Sequence, residues 1–406
     1  MIWPRARLDE CTRIVSGATP KTGIPEFWGG DICWVTPKDL SELEGPFIDI
    51  TPRRITARGL ASCAAEVLPA GSVLFSSRAP IGHVAINRVP MATNQGFKSF
   101  IPKASKLDAG FLFWWLKCHR SYLEGLGNGA TFKEVSKSVV ARIEIPLPPL
   151  AEQRRIATIL DHADNLWQQR RLALGRLDGL TQSVFLHIFG DPRQNPKGWK
   201  FVCLGDVLHS ASDGPHVSPR YAEDGVPFLS TRHIKRGEVM WEDLKFITRD
   251  DAKTHWKKCK PEKGDILYIK GGTTGIAAAV DFDRAVAIWV HVALLKLKRD
   301  MVAPEWLEVM LNCRFCYQQS QTLTHGIANH DLGLTRMVNI LIFLPPYSLQ
   351  KEFSRHVHLI KELKATQRRA LTKLEGLFSS LQHDAFDGKL NSLGSADRLT
   401  ELRMVS

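Results

Sequence analysis

Two stretches of this chain share one design: IPLPPLAEQRRIATILDHADNLWQQRRLALGRLDGL from Ile145 and IFLPPYSLQKEFSRHVHLIKELKATQRRALTKLEGL from Ile342. Each opens on a double proline, which ends a strand and can start a helix, and each continues as a long charged segment with an apolar period. The pairs Pro148-Pro149 and Pro345-Pro346 stand 197 residues apart. Other landmarks recur at nearly the same offset. WVTPKDL from Trp34 matches FLSTRHI from Phe228, AGSVLFSSRAPIG matches KGDILYIKGGTTG, and FLFWWLKC from Phe111 matches WLEVMLNC from Trp306. A period this long exceeds the ~20–50 residues of stacked repeats, so the 406-residue chain is a duplicated globular unit, each copy followed by a helix.

In the first helix the apolar residues fall on a heptad with Ile156, Ala163, Leu177 and Val184 at one position and Ile159, Leu166, Ala173 and Leu180 three residues on. The second helix keeps the register with Phe353, Ile360, Leu374 and Leu381, then Leu363, Ala370 and Leu377. Residues 151–188 predict a helix of about 57 Å at ~1.5 Å per residue. A seam that long needs a cover, and the other copy supplies it. Antiparallel pairing would put one globular domain at each end; parallel pairing is also open. Arg170 and Gln367 break the seam at matching positions and are expected near each other, fixing the register. At ~3.4 Å per base pair, such a rod spans on the order of 15 base pairs.

Short β-rich runs bounded by Gly and Pro, such as GSVLFSS, HVAINRV, GDILYIK and VHVALLKLK, together with one apolar helix per half, make the fold class α+β. The helices are read as DAGFLFWWLKCHRSYLEGL and APEWLEVMLNCRFCYQQSQTL, their aromatic stripe belonging to the core. The expected organisation is 1–147 globular, 148–190 long helix, 195–344 globular, 345–390 long helix and 391–406 an irregular tail.

The formal charge of +12 points to a polyanionic partner, since Lys and Arg at phosphates release counterions. No apolar run approaches the ~20 residues of a membrane span, and the N-terminus lacks an apolar signal core, so a soluble cytoplasmic protein is expected. Eight scattered cysteines read as reduced thiols, and the lone C-x-x-C of Cys313 and Cys316 as buried helix residues rather than a metal site.

Catalytic signatures are weak. LPPY at 344–347 resembles the Asn/Asp-Pro-Pro-Tyr/Phe loop of adenine methyltransferases, but that loop needs a polar first residue, which Leu344 and Leu147 cannot supply. No Gly-rich loop stands in a βαβ setting, and there is no G-x-x-x-x-G-K-[ST]. Glu262, Asp265 and Lys270 are loosely nuclease-like, yet the counterpart LPAGSVLFSSR has neither acid. His356 and His358 diverge on a helix and read as surface. A metal site is not expected.

PEFWGGDICWVTPKDL, AGSVLFSSRAPIGHVAIN, ATNQGF and EIPLPPLAEQRRIATILDHAD closely resemble the specificity (S) subunit of type I restriction-modification systems, over roughly residues 8 to 390. The resemblance implies two target recognition domains, each reading one half of a bipartite, asymmetric site in double-stranded DNA. It also implies an antiparallel coiled coil of two long helices and a pseudo-twofold internal repeat. Two modification (methyltransferase) subunits would dock on the helices, and restriction/translocase subunits would join. The chain itself would be non-catalytic and bind no cofactor, with S-adenosylmethionine, ATP and Mg on the partner subunits. The chain departs from the family pattern in beginning almost directly with the first recognition domain. The rival readings are a stand-alone DNA methyltransferase or nuclease, and a coiled-coil adaptor without nucleic acid.

Base readout needs donors and acceptors on loops, and phosphates need Lys, Arg or backbone amides. The candidates in the first half are Thr36, Lys38, Ser77, Arg78, Asn94, Gln95, Lys98, Thr131, Lys133 and Lys137. Those in the second are Ser230, Thr231, Arg232, His233, Lys235, Lys270, Thr273, Thr274, Asn329 and His330. Pro37, Gly82 and Gly96 are expected to shape the loops.

Overall fold

A computed structural model describes residues 3–43, 45–129, 133–326 and 330–389. The expected tail, 391–406, and the candidates Thr131 and Asn329 lie outside the described residues. By internal contacts the chain divides into two units, Met1–Arg171 with Arg369–Ser406, and Leu172–Arg368. They are called unit 1 and unit 2 below.

Unit 1 carries a five-stranded sheet in the order Thr12–Ser16, Lys98–Pro102, Val73–Phe75, Val84–Asn87, Phe47–Ile48. Unit 2 repeats the first four as Leu208–Asp213, Val292–Leu297, Ile266–Ile269, Ala277–Ala279. A second sheet in each unit is built on a parallel pair: Trp28–Val35 with Met91–Thr93, and Val226–Leu229 with Ala287–Ile288. Unit 2 adds Tyr221–Ala222 at the edge of this sheet. The Val73–Phe75 run is wholly buried, as expected of an apolar strand covered on both faces. It follows Gly71 at φ +83°, and its counterpart follows Gly264 at φ +89°; each turn needs the left-handed region that glycine enters freely.

Each predicted apolar helix is broken in two. Ala109–Cys118 and Arg120–Gly125 meet at His119, and Pro304–Asn312 and Arg314–Leu323 meet at Cys313. His119 leaves helical geometry, stacks on Trp115 at 4.3 Å and donates from Nδ1 to the Trp115 carbonyl. Cys313 is extended at ψ 158°, which stops the helix outright. The aromatic stripe is core: Phe111 and Trp114 are fully buried, as is Trp306. Each such side chain contributes roughly 1.5–3 kcal/mol.

The double prolines close the globular part of each unit. Glu144–Pro146 pairs with Arg5–Arg7, and Leu341–Leu344 with Lys200–Cys203. One glutamine then locks each turn. Gln153 is fully buried; its Nε2 donates to the carbonyls of Pro148 and Lys106, and its Oε1 accepts from the Asp108 amide. Gln350, 197 residues on, repeats all three bonds with Pro345, Met301 and Ala303.

Two long helices follow, Leu150–Phe189 and Tyr347–Phe386, each running through both units. Within unit 1, Ile156, Leu160 and Ala163 share a core with Leu374, Leu381 and Ala385, and Trp167 Nε1 donates to Glu375 at 3.1 Å. Within unit 2, Phe185 packs on Phe353 at 5.7 Å and Lys364 pairs with Asp178 at 2.9 Å. Of the expected seam, Ile156, Ala163, Phe353, Ile360, Leu374 and Leu381 are buried, while Arg170, Leu177, Val184 and Gln367 are half-buried. Leu180 and Leu363 are exposed instead, at 38% and 51%. Ile159, Leu166 and Leu377, three residues on, pack half-buried against the unit 1 core, and a fully buried line runs four residues on, through Leu160, Val357 and Ala385, where the helices also face a globular core.

The helices are also anchored by ion pairs of opposite polarity. Asp164 of the first helix takes Lys117 at 3.2 Å; its counterpart on the second helix, Lys361, takes Glu308 at 3.7 Å. Burial pushes the Glu308 carboxyl up. Burial works against the charge of Lys361, but Glu308 and Asp281 hold it above its usual value.

Replacing Gln153 or Gln350 by Ala strands two carbonyls and one amide beneath a proline turn. Each variant is expected to lose about 2–3 kcal/mol in urea unfolding. A loss under about 0.5 kcal/mol would show that the hinge does not depend on the carboxamide.

Candidate nucleic-acid interface

The candidate loops of each unit gather on one set of turns, and the two sets correspond. The strand ending at Val35 leads into Thr36, whose amide and hydroxyl both donate to Asp39 at 2.7 and 2.8 Å. In unit 2 the same position is Ser230, whose amide donates to His233 Nδ1 at 2.9 Å. Because Nδ1 accepts, the ring proton lies on Nε2, and burial pushes this imidazole down toward the neutral form. The neighbouring turn is tied to the same strand by the Asn94 amide on the Val35 carbonyl at 3.0 Å. Trp289 on Leu229 at 2.9 Å repeats this tie.

A third loop follows the central buried strand. Ser77 donates from its amide to the Gly96 carbonyl at 2.7 Å, and Lys270 does the same to His291 at 3.0 Å. The fourth element is a narrow hairpin. Asn128 and Glu134 exchange amide–carbonyl bonds at 3.1 and 3.0 Å, as do His325 and Asp331 at 3.0 and 2.9 Å. Bridges from Arg78 to Glu134 and from Gly271 to Asp331 pin each hairpin beside the third loop. Asn128 and His325, like Glu134 and Asp331, differ in number by 197, and Arg78 and Gly271 by 193.

Not every candidate faces outward. Ser77 is fully buried, with its hydroxyl on the Gly96 carbonyl at 3.1 Å; Thr274 is 2% exposed and shares a hydrogen bond with Thr324. His233 at 3% and Thr36 at 8% are capping residues. The candidates Lys98 and Lys270 do not face a ligand: both ammonium groups are sunk among carboxylates. Lys98 reaches Glu134 at 3.0 Å, and Lys270 reaches Asp213 at 3.1 Å and Asp331 at 3.5 Å. A cation left inside without a partner would cost several kcal/mol, so these lysines brace loops. Asn94 Oδ1 accepts the Gly96 amide, and Arg78 lies half-exposed, 3.9 Å from Glu134. The His330 carbonyl accepts the Gly272 amide. Lys38, Gln95, Lys133, Lys137, Arg232, Lys235, Thr273 and His330 are exposed, with Thr231 half-exposed. Gln95 bonds Thr19 and Lys38 pairs loosely with Glu42.

The sequence reading missed Glu134, Asp331 and Asp213, the carboxylates on which the loops rest. The first two were traceable through their 197-residue offset. Asp213 carried no signal, since its partners Lys258 and Lys270 are distant in sequence. Burial opposes its charge, but hydrogen bonds from Lys258 and Lys270 hold the carboxyl below its usual range. The loosely nuclease-like acids are accounted for separately. Asp265 pairs with Lys296 at 2.7 Å and Arg299 at 3.6 Å, and Glu262 with Lys296 at 2.9 Å. Cys313 and Cys316 are buried, and His358 lies 3.6 Å from Glu305.

A depressed carboxyl adds stability above its unfolded pKa of about 3.9 and loses it as pH falls through the folded value. Asp213→Asn should therefore destabilise the chain by about 3 kcal/mol at pH 7. The deficit should be full above about pH 5 and shrink below about pH 4 in pH-resolved denaturation. A deficit independent of pH would refute the ionic role.

Comparison with known proteins places this arrangement. A family model described as the type I restriction modification DNA specificity domain matches residues 3–174 and 196–373. The MjaIX specificity subunit of Methanocaldococcus jannaschii is 29% identical over 408 residues, covering 96% of this chain and 93% of that one. The EcoKI specificity subunit of Escherichia coli K12 is 22% identical over 358 residues, covering 79% and 74%. In fold, the S subunit of a type I restriction-modification system from M. genitalium superposes with a TM-score of 0.59 at 14% identity, covering 95% and 96%. Two matches of one family model, one in each half of a duplicated chain, leave a single conclusion: the chain belongs to the type I restriction-modification DNA specificity family.

Proposed function

We propose that this chain, as a specificity subunit of the type I restriction-modification class, reads a bipartite, asymmetric site in double-stranded DNA, one half-site per globular domain. The observation that carries the reading is the duplication of the four-loop cluster with different side chains in each copy. Where unit 1 offers Lys38 and Asn94, unit 2 offers Arg232 and Trp289. A shared frame with unlike reading groups suits two unlike half-sites. Lys133 and Lys137 beside one hairpin, and Arg232 and Lys235 beside the equivalent turns, are phosphate contacts in this reading, with Thr231, Gln95, Thr273 and His330 near base edges.

The two long helices form an antiparallel coiled coil that sets the spacer. Supporting this, the start of the first helix packs on the end of the second within unit 1, and the reverse holds within unit 2. The domains are then 1–147 and 195–344, with helices 148–190 and 345–390, and Arg170 and Gln367 near the rod centre. Modification subunits dock on the helices, where Leu172, Leu359 and Leu363 are each more than half exposed. Restriction subunits complete the assembly. S-adenosylmethionine, ATP and Mg belong to those partners, and the complex works in the cytoplasm. No helix among the described residues is long and apolar enough to cross a membrane.

Exchanging 1–147 for another recognition domain should change one half-site in methylation mapping and leave the other intact; a change in both contradicts the modular reading. Lys133→Ala should weaken binding at all sequences and flatten the salt slope by about one unit. Arg170→Cys with Gln367→Cys should cross-link on mild oxidation if the register is right, and absence of the cross-link removes the antiparallel register proposed here.

A further inference from the structure

Unit 2 carries a feature at its reading turns that arises from Trp289, where unit 1 has Asn94, and from Tyr221 on the added edge strand. A dent of about 160 Å³ opens where the extra edge strand meets the turn at Trp289. Its walls are aromatic. Phe228 forms the buried floor, at 4% exposure, with Tyr221 edge-on at 6.3 Å and Trp289 edge-on at 5.7 Å. Its rim is polar and cationic: Ser230, Arg232 and Lys245, the last with its ammonium 4.7 Å from the centre of the Tyr221 ring. Tyr221 is 54% exposed, so its ring is open to solvent at the edge of the dent.

The corresponding turn of unit 1 holds the same backbone bond but carries Asn94, whose side chain is engaged by the Gly96 amide. The frame is shared and the surface chemistry is reversed, from an amide to an indole. A small apolar dent with cations on its rim, set between two loops of a DNA-reading surface, matches one group of the major groove: the 5-methyl of thymine, which projects from the base edge with phosphates on both sides. Arg232 and Lys245 stand where those phosphates would be met. The rim carries no carboxylate among the residues that line it, so nothing there opposes an approaching backbone.

We propose that this dent receives the 5-methyl edge of a thymine in the half-site read by unit 2, with Arg232 and Lys245 on the flanking phosphates. Trp289 and Tyr221 are thereby specificity-determining residues, and the half-site contains a thymine at one fixed position. The proposal rests on the DNA-reading function above and deepens it.

The test uses the full chain in complex with its modification subunits and a duplex carrying the site mapped by methylation sequencing. Each thymine of the half-site assigned to unit 2 by domain exchange is replaced singly by deoxyuridine, which removes the methyl and nothing else. One position should weaken binding about four-fold, the equivalent of burying one carbon, roughly 0.8 kcal/mol. Trp289→Ala should abolish the thymine/uracil difference at that position while leaving the half-site of unit 1 unaffected. If Trp289→Ala does not fold, as judged by circular dichroism, Tyr221→Ala at the exposed ring serves in its place.

A half-site without thymine, insensitivity to uracil at every position, or a difference that survives both variants overturns the proposal. Enhanced permanganate oxidation of that thymine in the complex would mean an unstacked base enters the dent, which also overturns the groove reading. Failure of the unmodified duplex to bind is a separate result. It removes the DNA-reading function, and the dent falls with it.

Discussion

The carboxamides of Gln153 and Gln350 each hold together three chain segments: the proline turn, the loop before the core helix, and the first turn of a long helix. An amide that is fully buried has a strong demand for partners, and here each one is met by backbone groups that would otherwise be stranded by proline. The direction in which each long helix leaves its globular domain follows from that small cage. Helix direction thus depends on two side chains that are wholly buried.

Around this hinge the two copies preserve backbone geometry and let side chains drift. The bridges at Asn128/Glu134 and His325/Asp331 coincide to the residue, although almost no side chain in the hairpins matches. The helix anchors go further and reverse sign, Asp164 with Lys117 in one copy and Lys361 with Glu308 in the other. A buried pair is indifferent to which side supplies the cation, provided that neither charge is left alone. Such a swap is what a duplicated scaffold can tolerate, and it separates the parts that must agree from the parts free to specify.

Acids at the base of the loops serve the same end. Glu134 draws in Lys98, and Asp213 with Asp331 draws in Lys270, so cations that a linear reading assigns to phosphates become loop braces. The exposed cations and the aromatic dent are what these turns leave open to solvent. Rigid turns under variable side chains allow new sequences to be read without rebuilding the domain.

The duplication, the two proline-initiated helices and the alternation of sheet and core helix were legible in residues 34–40, 71–82, 148–188 and their counterparts. Periodicity and turn chemistry are local, and the chain writes them out in order. The family was legible through the resemblance carried by stretches such as PEFWGGDICWVTPKDL and AGSVLFSSRAPIGHVAIN. Burial of Ser77, Lys98 and Lys270 was not, because it depends on carboxylates tens of residues away that fold in beside them. The seam kept Ile159, Leu166 and Leu377 half-buried, exposed Leu180 and Leu363, and gained a line four residues on, because each helix faces a globular core as well as its mate. Trp289 and Tyr221 carried no signal in sequence, since only the pairing of strands brings a lone indole and a lone phenol to one floor. The sequence by itself determined which elements form and that they form twice, through spacing that acts over a few residues. Tertiary structure alone decided which polar groups face outward, because burial and charge pairing are settled by neighbours distant along the chain.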